Sequence, residues 1–250
     1  MNNKGGYFYL ILSNGVQRYN IFVKQNIMKK HNEKRGLYLM PGMAASPRIF
    51  EFINLSEFFD VVCLSWITPE AGEPIAHFAK RMCERIQHED PILLGVSFGG
   101  VLVQEMAKHI GCYKVVVVSS VKSSKELPLS MILSKKTNAH KLLPTQWVKN
   151  LESLALFVFG SSIERKVDLY QKYLSERDPK YLKWAIHTLV NWDQEVFDPE
   201  VIHIHGEKDT MFPFKNIIKT PYLHSLPEGA HAMILAKHQW FNTELPKLLV

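Results

Sequence analysis

The 250-residue sequence is short of the features that mark secreted, membrane and metal-stapled chains. No apolar run approaches the roughly 18 residues needed to cross a bilayer. The apolar stretch near the N-terminus is too short for a signal peptide, and no small-residue cleavage site follows it. Cys63, Cys83 and Cys112 make an odd three without metal-ligand spacing, so neither a disulfide framework nor a zinc site is expected. Cys63 falls in an expected strand and Cys83 in an expected helix, which predicts buried free thiols and a cytoplasmic location. Repeats and low-complexity tracts are absent. The net charge of +6 is concentrated in Lys24, Lys29, Lys30, Lys34 and Arg35, and no aromatic residues interleave them as nucleic-acid binding would require. A solvated linker, with no nucleic-acid partner, is the expected role of that segment.

What is present is a balanced globular composition, 46% hydrophobic and 22% charged, enough for one domain with a sizeable core. Strand-like and helix-like patterns alternate from residue 36 onwards, the mark of an α/β domain. Strands are expected at 36–40, 60–66, 92–96, 114–119, 201–206 and 222–226, with helices over 48–59, 72–88, 101–109 and 233–249. The unbroken apolar run Val115-Val116-Val117-Val118 suits a parallel sheet covered on both faces. Between residues 122 and 195 the strand pattern stops, and helical stretches at 145–159, 162–175 and 179–191 suggest an inserted cap. Residues 1–27 read either as an antiparallel hairpin turning at Ser13-Asn14-Gly15 or as an extension preceding a true start at Met28. The expected organisation is therefore a core of 28–121 and 196–250, a cap of 122–195, and the separate N-terminal segment.

The most informative stretch is Gly95-Val96-Ser97-Phe98-Gly99-Gly100, which ends an apolar strand and opens a helix. A serine on so sharp a turn needs a strained backbone, and glycines two before and two after it remove side chains that would collide. The helix N-terminus then directs free N–H groups and partial positive charge at the space above the hydroxyl.

A serine hydroxyl needs a base to take its proton, and the base needs an orienting carboxylate. Asp209 follows one apolar strand and His231 follows the last, so both reach the C-terminal edge of a parallel sheet where Ser97 sits. Glu207 is the nearest rival acid, while Asp193 and Asp198 lie before the strand. His203 reads as structural; His203-x-His205 lacks further ligands at useful spacing, so no metal or other cofactor is expected.

Gly95-Val96-Ser97-Phe98-Gly99, His205-Gly206-x-x-Asp209 and Gly229-Ala230-His231, in that order, resemble the motifs of the α/β-hydrolase superfamily, in its small capped serine hydrolase and esterase branch. The resemblance spans residue 37 to the C-terminus. It implies a mostly parallel sheet covered by helices on both faces, with a helical cap after the sixth strand when the N-terminal hairpin is counted. It implies Ser97 as nucleophile, His231 as base, Asp209 as orienting acid, and an oxyanion hole from the backbone N–H groups of Met43 and Phe98. Many relatives carry His-Gly where this chain has Pro41-Gly42. Met43, Phe98, Met211 and Met233 are the expected pocket residues. The expected substrate is a small, largely apolar carboxylic ester or thioester. Carbon–carbon bond hydrolysis or cleavage, acyl transfer, and slow-turnover ligand binding stay open; serine at the elbow argues against dehalogenase or epoxide hydrolase chemistry. Nothing in the sequence sets the oligomeric state.

Overall fold

In the computed structural model, residues 34–142 and 172–250 are described. The N-terminal hairpin, the helix expected over 145–159 and most of that over 162–175 lie outside them. Six strands among the described residues, β1 (Gly36–Met40), β2 (Asp60–Cys63), β3 (Ile92–Val96), β4 (Lys114–Val118), β5 (Ile202–Gly206) and β6 (Leu223–Leu226), form one sheet in the order β2-β1-β3-β4-β5-β6. Every pairing is parallel. β1 and β3 are buried along their whole length, which is why they read as near-continuous apolar runs; β5 is buried as fully but alternates isoleucine with His203 and His205, which bond to each other inside the protein.

The described helices are α1 (Ile75–Cys83), α2 (Phe98–Ala107), α3 (Leu129–Thr137), α4 (Pro179–Asn191), α5 (Met233–Ala236) and α6 (His238–Leu249). Helix α2 buries nine of its ten residues, Phe98 through Met106, and packs on β3, β4 and α1. The apolar residues at all angles around it explain its lack of a polar face. The stretch between β4 and β5 contains α3 and α4. It follows the fourth described strand; the hairpin expected at the N-terminus lies outside the described residues. Helix α4 begins with Asp178 accepting from the Tyr181 N–H at 2.8 Å and Pro179 in the first turn. Trp184 joins it to the core, lying tilted against Phe78 with ring centroids 4.3 Å apart and donating Nε1–H to the Glu73 carbonyl at 2.7 Å.

Several expected elements differ. Instead of a helix over 48–59 there is only a 3-10 turn, Pro47–Phe50, and Phe52 and Phe58 are exposed. The Asn242 side chain of α6 accepts from the Asn54 N–H and donates to the Phe52 carbonyl, taking groups that a continuing helix would have used. The closing helix is two pieces, α5 and α6, broken at Lys237 with φ −116° and ψ 25°. Strand β2 ends at Cys63, not residue 66, and Trp66 turns under the loop after β1. The thiols also correct the expectation of full burial: Cys63 is exposed, and Cys83 and Cys112 are half-buried, all unbonded to one another. Burial pushes the Cys83 and Cys112 thiols up to about 11, so neither is a nucleophile near neutrality.

Strand order reverses between β1 and β3, which makes the crevice beyond their C-terminal ends the topological switch point. The loop after β1 carries Gly42 and Met43, and the turn after β3 carries Ser97. Both flank that crevice.

Candidate active site

Ser97 has φ 53° and ψ −123°, a left-handed conformation unusual for a residue with a side chain. The turn is held by three bonds. Ser97 N–H donates to the Val118 carbonyl at 2.9 Å, and the Ser97 carbonyl accepts from Ser120 Oγ at 2.6 Å and from the Gly100 N–H at 2.8 Å. A methyl group at Gly95 would run into the Gly99 carbonyl and the Gly100 nitrogen, so the elbow closes only around a glycine there.

Two strands, and so three inter-strand spacings of roughly 14 Å in all, separate Ser97 at the end of β3 from the C-terminal end of β6, so the loop after β6 must fold back across the edge. It does so by lying on the acid loop. Lys208 N–H donates to the Gly229 carbonyl at 2.9 Å, and Gly206 is in direct contact with Gly229, leaving no room for a β-carbon. His231 is thereby carried to Ser97, its Nε2 3.0 Å from Oγ and its Nδ1 2.9 Å from Asp209 Oδ2. A carboxylate only accepts, so Nδ1 carries the proton and the Nε2 lone pair faces the serine hydroxyl. The other carboxylate oxygen, Asp209 Oδ1, accepts from the Met211 and Phe212 N–H groups at 2.8 and 2.9 Å. Burial pushes the Asp209 carboxyl up. The charge and hydrogen bond of His231, the nearby His205 and the Phe212 N–H outweigh that push, and it lies below its ordinary value.

Glu207, two residues away, is exposed and accepts from Ser225 Oγ at 2.8 Å. Asp198 accepts from the Glu200 N–H, and Asp193 is exposed. Of the carboxylates weighed from sequence, only Asp209 meets the imidazole.

The Gly42 carbonyl accepts from Trp66 Nε1 at 2.9 Å and from the Ala45 N–H at 3.1 Å. A trans peptide points its N–H opposite its C=O. Pinning that oxygen therefore fixes the direction of the Met43 N–H, next to a glycine whose absent β-carbon would lie 3.3 Å from Ser97 Cβ. The Phe98 N–H, first of helix α2, has no carbonyl one turn earlier to bond. The Phe98 ring is fully buried, stacked on Trp66 with centroids 5.3 Å apart and edge-on to Trp184. Met43 and Met233 are buried, with Met233 Sδ against Gly229, and Met211 is half-buried beside the acid loop.

Among the described residues one cluster has metal-ligand spacing, Glu70, Glu73 and His77, but Arg81 Nη1 already contacts both Glu73 carboxylate oxygens at 3.0 and 2.8 Å. Nor does His203-x-His205 offer free ring nitrogens. His203 bonds Lys122 Nζ at 2.8 Å and His205 at 2.9 Å, and His205 bonds the Phe212 carbonyl at 2.8 Å.

Burial lowers the pKa of His205 and takes that of His203 well below its ordinary value, with the Lys122 charge adding to the effect on His203. The folded protein therefore resists protonation at both rings, while the unfolded chain protonates them below about 6.5. The unfolded state then binds more protons, so stability falls as pH falls through that value, by up to about 1.4 kcal/mol per pH unit for each ring. Urea midpoints measured from pH 7.5 to 5.0 should decline steeply below 6.5, and a flat profile would contradict the two neutral rings.

No family model and no curated protein matches the sequence. Solved structures do match. An esterase from Exiguobacterium antarcticum superposes with a TM-score of 0.64 at 18% identity, over 87% of this chain and 92% of that one. A hydrolase from Pseudomonas aeruginosa PA01 gives 0.68 at 14% identity, over 86% and 90%. The enol-lactonase from Burkholderia xenovorans LB400 gives 0.65 at 13% identity, over 88% and 92%. With the parallel sheet, these likenesses establish that the chain has the α/β-hydrolase fold. At such identities they speak for the fold and leave the reaction to the site.

Proposed function

We propose that the protein is a serine hydrolase that cleaves a carboxylic ester or thioester of a small, largely apolar substrate through an acyl-enzyme. The observation that supports this most is the 3.0 Å approach of His231 Nε2 to Ser97 Oγ, on a histidine whose other nitrogen is held by buried Asp209. In this reading Ser97 Oγ attacks the carbonyl carbon while His231 Nε2 takes its proton. The negative charge moves onto the carbonyl oxygen, which the Met43 and Phe98 N–H groups receive. The alcohol or thiol leaves with the proton from His231. Water then attacks the acyl-serine, giving its proton to the same nitrogen, and the carboxylic acid departs as Ser97 regains its hydrogen. Two fold neighbours, an esterase and an enol-lactonase, accord with acyl-transfer chemistry of this kind.

The test is a series of p-nitrophenyl esters of rising acyl length run beside acyl-CoA thioesters, with intact-mass analysis after a fluorophosphonate. Turnover of esters, and a phosphonyl adduct on Ser97, are expected. A folded protein that neither turns over any member nor takes the adduct would overturn the proposal in favour of a binding protein on this fold.

A further inference from the structure

Beneath Asp209 lies a set of buried titratable groups that the acyl-transfer steps do not use. Lys122, in the segment after β4, has no exposed surface, and neither do Glu126, His203 and His205. An ammonium only donates, and Lys122 Nζ spends its three hydrogens on Glu126 Oε1 at 3.0 Å, the Ile218 carbonyl at 3.2 Å and His203 Nδ1 at 2.8 Å. His203 Nδ1 must then accept, so a neutral His203 carries its hydrogen on Nε2. That nitrogen faces His205 Nδ1 at 2.9 Å, which must accept in turn and leave the hydrogen of His205 on Nε2. His205 Nε2 donates to the Phe212 carbonyl at 2.8 Å and stands 3.6 Å from Asp209 Oδ2. Phe212 N–H closes the sequence on Asp209 Oδ1. The two ends agree, since the ammonium can only donate and the Phe212 carbonyl can only accept, and the Ser120 carbonyl is a further acceptor beside the His203 ring.

We infer that Lys122, held by Glu126, is a positioning residue for Asp209: through His203 and His205 it orders a one-way line of hydrogen bonds that fixes the turn presenting the carboxylate to His231. The catalytic meaning of that line rests on the hydrolase reading above, but its direction does not. The groups facing it are Glu126 from the same segment, His203 and His205 from β5, Asp209 from the acid loop and His231 from the last loop. A buried ammonium–carboxylate pair is a poor way to fill space, since apolar side chains of equal volume often stabilise as well or better. What apolar side chains cannot supply is a donor that holds the His203 end of the line in its sense. Without the ammonium, only the Phe212 carbonyl asks for that sense, and a His203 with its hydrogen on Nδ1 can reverse both rings. His205 Nε2 would then turn a lone pair to the Phe212 carbonyl and loosen the turn.

The experiment is long-range proton–nitrogen NMR on histidine-labelled protein, with the rate of fluorophosphonate labelling measured in parallel. In the wild-type chain both His203 and His205 should be Nε2–H tautomers from pH 6 to 8. A protonated ring, or an Nδ1–H tautomer at either position, overturns the inference without any variant. The charge-neutral pair Lys122→Met with Glu126→Gln should give mixed tautomers at both rings, weaken the downfield His231 Nδ1–H resonance and slow labelling about tenfold. Unchanged tautomers, or an unchanged His231 resonance, overturn it. Should that double variant not fold, His203→Leu and His203→Gln take its place. Glutamine can accept from Lys122 and donate to His205, so it should keep the His231 resonance, while leucine should weaken it; equal behaviour of the two overturns the inference. If the wild type never labels, the hydrolase reading fails, yet the tautomers and the His231 resonance still decide this one.

Discussion

Ser97→Ala should abolish fluorophosphonate labelling and lower kcat for the best p-nitrophenyl ester by about 10⁴- to 10⁶-fold, the range over which triad members act as a unit. The physical argument is that His231 Nε2 contacts Ser97 Oγ, the hydroxyl on which the elbow's strain is centred. The two half-buried thiols offer no substitute near the base, since Cys83 lies in α1, Cys112 precedes β4, and burial keeps both protonated. His231→Ala should fall to a similar floor, and the double variant should be no worse than either single one, because a nucleophile without its base and a base without its nucleophile are equally idle. Residual turnover over water would come from binding and the two backbone N–H groups, which no side-chain change at 97 or 231 removes. Circular dichroism and thermal midpoints should stay near wild type, since alanine keeps the turn's backbone bonds to Val118 and Gly100. Retention of more than about one part in a hundred of kcat in Ser97→Ala, with loss in His231→Ala, would mean that His231 serves a different nucleophile.

The parts of this site that could be read from sequence are the local ones. The elbow is legible because the requirement it meets, no β-carbon two residues either side of a strained serine, is written within five positions. The parallel sheet is legible because β1, β3 and β4 bury both faces and so lose the polar alternation of a half-exposed strand. Position 209 is a different kind of inference. Glu207 and Asp209 are equally acidic and near in sequence. The choice between them depends on how the loop closes, which Met211 and Phe212 N–H groups decide by capping Asp209 Oδ1. The helix expected over 48–59 has the apolar spacing for it, but it competes with an asparagine 188 residues further along, which no local pattern contains. Trp66 and Lys122 are the clearest cases of what spacing hides. Trp66 reads as the end of a strand and instead clamps the Gly42 carbonyl. Lys122 reads as one more charge at the edge of an insertion, and its partner His203 lies 81 residues away.

The choice of acid gives the second large effect. Asp209→Asn should reduce kcat by about 10⁴-fold, while Glu207→Gln should leave it within about twofold. The asparagine keeps the size of the side chain and an oxygen that can still accept from Met211 and Phe212. It places an NH₂ group or a neutral carbonyl where His231 Nδ1 now meets a carboxylate oxygen at 2.9 Å. If the NH₂ faces the ring, Nδ1 must accept and the hydrogen moves to Nε2, so the lone pair that should take the serine proton is gone. If the carbonyl faces the ring, the tautomer survives, but the imidazolium formed during attack has no counter-charge in a site that excludes water. Either way KM should change little, because the carboxylate is 0% exposed and touches no substrate atom in the proposed reaction. Glu207 provides the contrast: its carboxylate binds Ser225 Oγ at the surface, and glutamine can still accept that bond. Steady-state kinetics on both variants with one ester decide the matter. Equal losses, or the larger loss at 207, would require the last loop to sit differently from the arrangement in which Gly229 rests on Gly206.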